Sequence, residues 1–336
     1  MIDQLRAREG NVLIWLAKRL LHAALTLIIV TALLFAVMKL TPGDPLAALA
    51  GDRVIEPAER AALLARYGLD QPVTQQFLTF LTGAVRGDFG VSIHRYPDSV
   101  SSIITARLPA SLLLGGTVLL INFTLGILLG VWQAVRRGST FDRILTGLSL
   151  TLWAMPSFWL GLLLVALLAS GWSLFPAGGI SDPLMPPDSS LLHRGWDLLH
   201  PLALPALTLS AVTIAAGMRF QRAAMLEVLR LDYIRAARAR GIPERRVIWN
   251  HAWRNALFPV LTLFGLWLPI LVAGSIYVEA VFNWPGLGSL AAEAIAGRDY
   301  PVLIATAMLT ASIVVAGGIL ADLGQWLLDP RVRTAS

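Results

Sequence analysis

Six apolar runs, each about as long as a bilayer is thick, set what this chain can become. They cover roughly 20–38, 112–135, 144–169, 202–218, 257–281 and 303–328. A helix rising ~1.5 Å per residue needs about 20 residues to cross ~30 Å of hydrocarbon. With no water to satisfy the backbone there, such runs must fold as helices. Only 14% of the 336 residues are charged and 56% are hydrophobic, where soluble domains carry about 25% charged residues. The sequence therefore predicts an all-α polytopic membrane protein with six transmembrane helices. The fourth run is the shortest and carries Pro205 near its start. The formal charge of +6 does not point to nucleic acid, because the arginines gather at the ends of apolar runs. The chain has no cysteine, which excludes disulfides, thiolate zinc sites and Cys nucleophiles.

Basic residues set the orientation. With the N-terminus inside, segments 1–19, 136–143, 219–256 and 329–336 face the cytoplasm and hold 18 of the 27 Lys and Arg. The positive-inside rule then puts both termini in the cytoplasm, as in a multi-pass protein of a bacterial inner membrane. Residues 1–50 also resemble a leader, with a basic start, an apolar core and Ala48-Leu49-Ala50 as a cleavage-like site. The core is too long for a usual leader and ends about ten residues before that site, so the first span is expected to stay.

Four segments follow: 1–38 (tail and first span), 39–110 (a periplasmic subdomain), 111–328 (five core helices) and 329–336 (a cytoplasmic tail). The 39–110 segment opens on the turn cluster Thr41-Pro42-Gly43-Asp44-Pro45. It should contain a short helix from Glu56 to Tyr67 stopped by Gly68, and another from Val73 to Val85. It either caps the bundle or receives a partner.

The most structured inside segment is the Arg-rich insert 219–256. Met218 to Arg240 holds good helix formers without Gly or Pro. Gly241 then offers a left-handed stop, and Pro243 can open a second helix running through Trp249 toward Asn255. Ala236, Ala237 and Ala239 allow close approach to a facing surface, and Arg235, Arg238 and Arg240 can reach carboxylates. Such a helix suits a groove in another protein. The alternative is a basic helix resting on anionic headgroups, but that helix should bury Leu, Phe or Trp where this one has alanines.

At these residues the chain resembles the inner-membrane permeases of ABC importers, whose shared cytoplasmic signature is Glu-Ala-Ala, three residues, then Gly. Here the register is Arg235-Ala236-Ala237 and then Gly241, with Arg in place of Glu and without the Ile-x-Leu-Pro element that usually follows. Tyr233-Ile234-Arg235-Ala236-Ala237-Arg238-Ala239-Arg240-Gly241 is similar to the variant of the dipeptide, oligopeptide and nickel permeases. So are Arg254-Asn255-Ala256-Leu257-Phe258-Pro259, Tyr67-Gly68-Leu69-Asp70-Gln71-Pro72, Gly87-Asp88-Phe89-Gly90 and Arg107-Leu108-Pro109-Ala110. Met155-Pro156-Ser157-Phe158-Trp159, Phe282-Asn283-Trp284-Pro285-Gly286-Leu287-Gly288 and Arg298-Asp299-Tyr300-Pro301 complete the set.

The resemblance implies a type I (MetI-like) importer permease fold with an extracytoplasmic insertion between helices 1 and 2. It is nearest to the first of the two permease subunits such systems use. It implies a second, homologous permease, two cytoplasmic ATPases, a periplasmic solute-binding protein and surrounding membrane lipid as partners. ATP and Mg would sit on the ATPases, with no cofactor in this chain. Coupling would fall to Asp232, Tyr233, Arg235, Ala236, Ala237, Arg238, Ala239, Arg240 and Gly241. Di- or oligopeptides are the foremost cargo, with nickel chelates, glutathione or another small solute as alternatives.

The residues agree on one point independently. No Gly-x-x-x-x-Gly-Lys-Ser/Thr phosphate loop occurs, so ATP energy must arrive by contact. An ion-coupled secondary transporter is the competing class, but it usually needs repeats and midplane charges. The five histidines form no tight metal-ligand spacing, and His193 and His200 belong to a solvated loop. Asn122, Pro156, Ser157 and Pro269 are candidate pathway residues, since amides and proline-freed carbonyls suit a polar path; the alternatives are that Asn122 bonds a neighbouring helix and that the prolines only kink helices for packing. Asp322 and Gln325 fall in the last span and are expected to pair near the cytoplasmic face. Trp284 is expected at the membrane interface or an outer gate.

Overall fold

A computed structural model describes residues 2–40, 56–66, 68–181, 185–186, 188–257, 260, 267 and 276–328. Its elements are helices: α1 Ile2–Leu40, α2 Pro57–Arg66, α3 Val73–Val85, α4 Val100–Ile121, α5 Ile127–Val135, α6 Thr140–Ala154, α7 Ser157–Leu164, α8 Leu191–Val228, α9 Asp232–Ala239, α10 Glu244–Arg246, α11 Trp253–Ala256, α12 Ile276–Val281, α13 Leu287–Ala296 and α14 Tyr300–Leu328. Four stretches are long and apolar enough to cross a membrane, Ala17–Val37, Val100–Val135, Leu191–Val228 and Tyr300–Leu320. A bent pair, Thr140–Ala154 with Ser157–Gly171, makes a fifth. Most of the fifth apolar run lies outside the described residues, as do Thr41–Pro45, the cleavage-like site, Pro259 and Pro269. The side chains of Asp322 and Gln325 lie outside them too.

His193 and His200, expected in a solvated loop, lie within helix α8, and the structure differs from the sequence expectations at three further places. The third apolar run is not one straight helix: α6 and α7 meet at an angle of 104°. Met155 leaves the helix with extended backbone and Pro156 caps α7, because a residue before proline is pushed out of the helical region. Met218 to Arg240 is also not one helix, since α8 ends at Val228 and α9 begins at Asp232. The turn between them lets Ile234 and Ala237 fold back toward Met225 and Ala224, and burial outweighs the run's helix propensity. Trp284 is the third. It is fully buried rather than interfacial, donating its indole N–H to the Ala110 carbonyl at 3.0 Å, as a buried indole requires.

The chain divides into two compact units. One comprises 1–109 with 286–315. In it, α2 and α3 form where the turn signals place them, and Gly68, at φ 62°, follows α2. Phe35 of α1 meets Phe77 of α3 edge-on at 5.7 Å. Asp299, buried, accepts from Ser92 Oγ and from the backbone N–H groups of Ile93 (3.1 Å) and His94 (3.2 Å). Arg95 and Arg107 converge on Glu293.

The other unit comprises 110–285 with 316–335. Its first core joins Leu114 and Val118 of α4 to Leu202, Leu204 and Leu209 of α8, with Phe282 and Trp284. The second joins Val131 and Ala134 of α5 to Ala224 and Met225 of α8, and to Ile234, Ala237, Val247, Ala252 and Ala256 of the segment after α8. Where α5 crosses α8, a Cβ on Gly130 would lie 2.6 Å from the Met218 carbonyl oxygen. Only glycine permits that approach.

Candidate coupling site

The segment after α8 folds as a hairpin. Its first leg is α9, an eight-residue helix with Asp232 in its first turn and Arg238 in its last, the charge order a helix dipole favours. Arg240 follows the helix and returns its Nε to the Ala236 carbonyl at 3.2 Å. Gly241 then takes φ 74°, a left-handed conformation that costs glycine little and other residues more. Its N–H donates to the Arg238 carbonyl at 2.9 Å, and Ile242 N–H reaches Ala237 O at 3.3 Å. This closes the helix in the manner of a Schellman end. Pro243 stands one residue before the second leg, as its N-cap. That leg runs through α10, a π-turn over Val247–Ala252, and α11.

Two faces result. Ile234 and Ala237 point inward, together with Val247, Ala252 and Ala256, onto α5 and α8. Tyr233 clasps the legs from the side: its hydroxyl donates to the His251 carbonyl (3.2 Å) and accepts from Asn255 Nδ2 (2.7 Å). Asp232, Arg235, Ala236, Arg238, Ala239 and Arg240 remain exposed. Of the three alanines, then, Ala236 and Ala239 face outward while Ala237 is part of the chain's own core.

The rim charges are also arranged internally. Arg235 pairs with Asp232 one turn earlier. Arg238 grips Glu244 with Nη2 to Oε1 at 2.6 Å and Nε to Oε2 at 3.1 Å, bridging the Gly241 corner. The guanidinium hydrogen bonds hold the Glu244 carboxyl below the usual carboxylate range, and Glu244 in turn raises Arg238.

The candidate pathway residues are spread out. Asn122 opens a π-turn (Asn122–Gly126) between α4 and α5, is buried, and donates Nδ2 to Thr213 Oγ1 of α8 at 2.7 Å. A π-turn widens the helix locally and often marks a functional position. Pro156 and Ser157 sit at the 104° bend, with Pro156 exposed and Ser157 half-buried. Pro269 lies outside the described residues. Glu279 of α12 is fully buried, and sequence reasoning passed over it. It stands near the C-terminal end of an apolar run, where its burial had no local signal except the acid itself.

The hairpin thus follows α8, one of the helices of spanning length, and packs back on it and on α5. Residues 126–334 match the family model described as binding-protein-dependent transport system inner membrane component. Residues 12–115 match its N-terminal companion. This chain belongs to that permease family. It is 40% identical over 319 residues to the oligopeptide transport system permease protein AppB of Bacillus subtilis (strain 168), covering 95% of this chain and 99% of that one. It is also 40% identical over 324 residues to the dipeptide transport system permease protein DppB of Escherichia coli (strain K12), covering 92% and 95%. The di/tripeptide transport system permease protein DppB of Pseudomonas aeruginosa (strain UCBPP-PA14) is 38% identical over 331 residues, covering 95% and 98%.

Proposed function

We propose that this permease subunit carries di- or oligopeptides inward, taking them from a periplasmic binding protein and drawing energy from two cytoplasmic ATPases. The peptide cargo is supported by the relatives named for oligopeptide, dipeptide and di/tripeptide transport. The observation that carries the coupling is the two-faced hairpin: its inner face is packed on α5 and α8, and its outer face is presented whole. Ala236 and Ala239 supply a flat centre for an ATPase groove, and Asp232, Arg235, Arg238 and Arg240 form the rim. Ala237, Tyr233 and Gly241 hold the shape. ATP and Mg act on the ATPases, while this chain receives the motion.

The chain crosses the inner membrane six times with both termini inside, the run at 257–281 being the fifth crossing. It encloses the pathway together with a second, homologous permease. Asn122, Pro156, Ser157 and Pro269 contribute to that path.

The test is co-purification of the assembled importer with the variants Ala236→Arg and Ala239→Arg. Both should insert normally, lose the two ATPases, and lose peptide uptake into vesicles. Full retention of the ATPases by both variants would overturn the docking face. Uptake that persists without ATP but stops when the ion gradient is collapsed would overturn the ATP-driven reading.

A further inference from the structure

Between α5, α6 and α8 lies a cavity of about 530 Å³ that neither the hairpin nor the candidate path uses. Its walls include Gln133, Thr146, Trp153, Arg219, Phe220 and Arg222. That volume falls within the roughly 300–1,000 Å³ of small-molecule sites and is far more than one ion needs.

The two arginines are not equivalent. Arg222 is committed: its Nε and Nη2 hold both carboxylate oxygens of Asp142, at 3.0 and 2.9 Å. Arg219, one turn earlier on α8, makes no ion pair among the described residues. Beside them Gln133 is almost wholly buried. Its Nε2 reaches Thr146 Oγ1 at 3.2 Å, and its Oε1 has no partner among the described residues. A buried amide oxygen without a donor is costly. Trp153 and Phe220 are both more than half exposed. Leu150, which shares a helix face with Thr146 and Trp153, is exposed as well.

We propose that this cavity binds the phosphate headgroup of an acidic phospholipid. Arg219 is the first charge after the apolar run of α8, which sets it at headgroup level. The guanidinium meets the phosphate, and an acyl chain follows Trp153, Phe220 and Leu150. Basic pockets between membrane helices recognise acidic headgroups in this way. A solute carboxylate would also answer to Arg219. The exposed apolar wall next to it favours a ligand with a hydrocarbon tail.

The test uses the full importer purified from membranes containing phosphatidylglycerol and phosphatidylcholine, with retained lipids counted by native mass spectrometry. Arg219→Ser should lose one bound phosphatidylglycerol per copy of this chain. Arg143→Ser, an exposed arginine outside the cavity, should lose none. Millimolar inorganic phosphate should not displace the lipid. Equal phosphatidylglycerol retention by wild type and Arg219→Ser would overturn the site. Equal retention of phosphatidylcholine would show that the anion is not read, and displacement by free phosphate would show that the tail contributes nothing. ATPase subunits stay bound to Arg219→Ser, so failure here is distinct from failure of the hairpin.

Discussion

The hairpin at 229–256 and the clamp around Asp299 are both small polar-rich structures attached to long apolar helices, yet they are held in opposite ways. The hairpin buries small and apolar side chains (Ile234, Ala237, Val247, Ala252, Ala256) and leaves its charges in water, with Arg235 paired to Asp232 and Arg238 to Glu244. The clamp buries the charge itself: one carboxylate accepts a hydroxyl and two backbone amides from residues some 200 positions earlier. Packing tolerates gradual change, because its energy is spread over many weak contacts. A buried carboxylate does not, because losing it strands several donors at once. The hairpin thus keeps an outer face that can be remodelled toward a partner, while the clamp has little such freedom.

Asp299→Ala should have the largest effect. It leaves the Ser92 hydroxyl and the Ile93 and His94 amides unsatisfied, costing about 3 kcal/mol. Limited proteolysis should then cut near residues 91–99, and Asp299→Asn should fall in between. If Asp299→Ala is as protease-resistant as wild type, the clamp is not what holds that loop.

Ala237→Arg comes next. Overpacking a buried site and burying a charge there should cost about 2–3 kcal/mol and release the hairpin, seen as faster amide exchange over 232–256. Ala236→Arg, its exposed neighbour, should leave exchange unchanged. Equal effects from the two would erase the distinction between inner and outer face.

Gly241→Ala should cost about 1 kcal/mol through its left-handed backbone, measured as a lower thermal midpoint of the purified chain.

Glu244→Gln is the smallest. The Arg238–Glu244 pair is partly exposed, so it contributes about 1 kcal/mol or less after screening by water. The folded-state carboxyl is lowered, so its contribution is full above the ordinary carboxylate range and fades as pH falls through the lowered value. Wild type and Glu244→Gln should differ at neutral pH and converge in strong acid. A gap that widens on acidification would reverse the assignment.

Local signals explain what the sequence disclosed. α3 runs from Val73 to Val85 as read, and the stop at Gly241 is where glycine followed by proline puts it, because capping and turn chemistry act over a few residues. Features set by distant partners were hidden. The inward turn of Ala237 depends on α5 and α8, which present Val131 and Met225. The break between α8 and α9 at Leu229–Leu231 depends on the same core. Pro156 announced a bend, but its 104° angle reflects the packing of α7 with α8 and α12. Glu279 and Asp299 look alike as isolated acids near apolar runs, and nothing local distinguishes a buried one from a solvated one.

Helix α8 is longer than a bilayer is thick. At roughly 57 Å for 38 residues, it continues past any bilayer into the root of the hairpin, and between Pro205 and Val228 no proline interrupts it. A push at its lower end therefore meets a stiff lever with no joint to absorb it. Under the proposed coupling, a displacement of the hairpin would be carried along α8 to the Asn122–Thr213 contact, which ties it to the π-turn of the neighbouring helix.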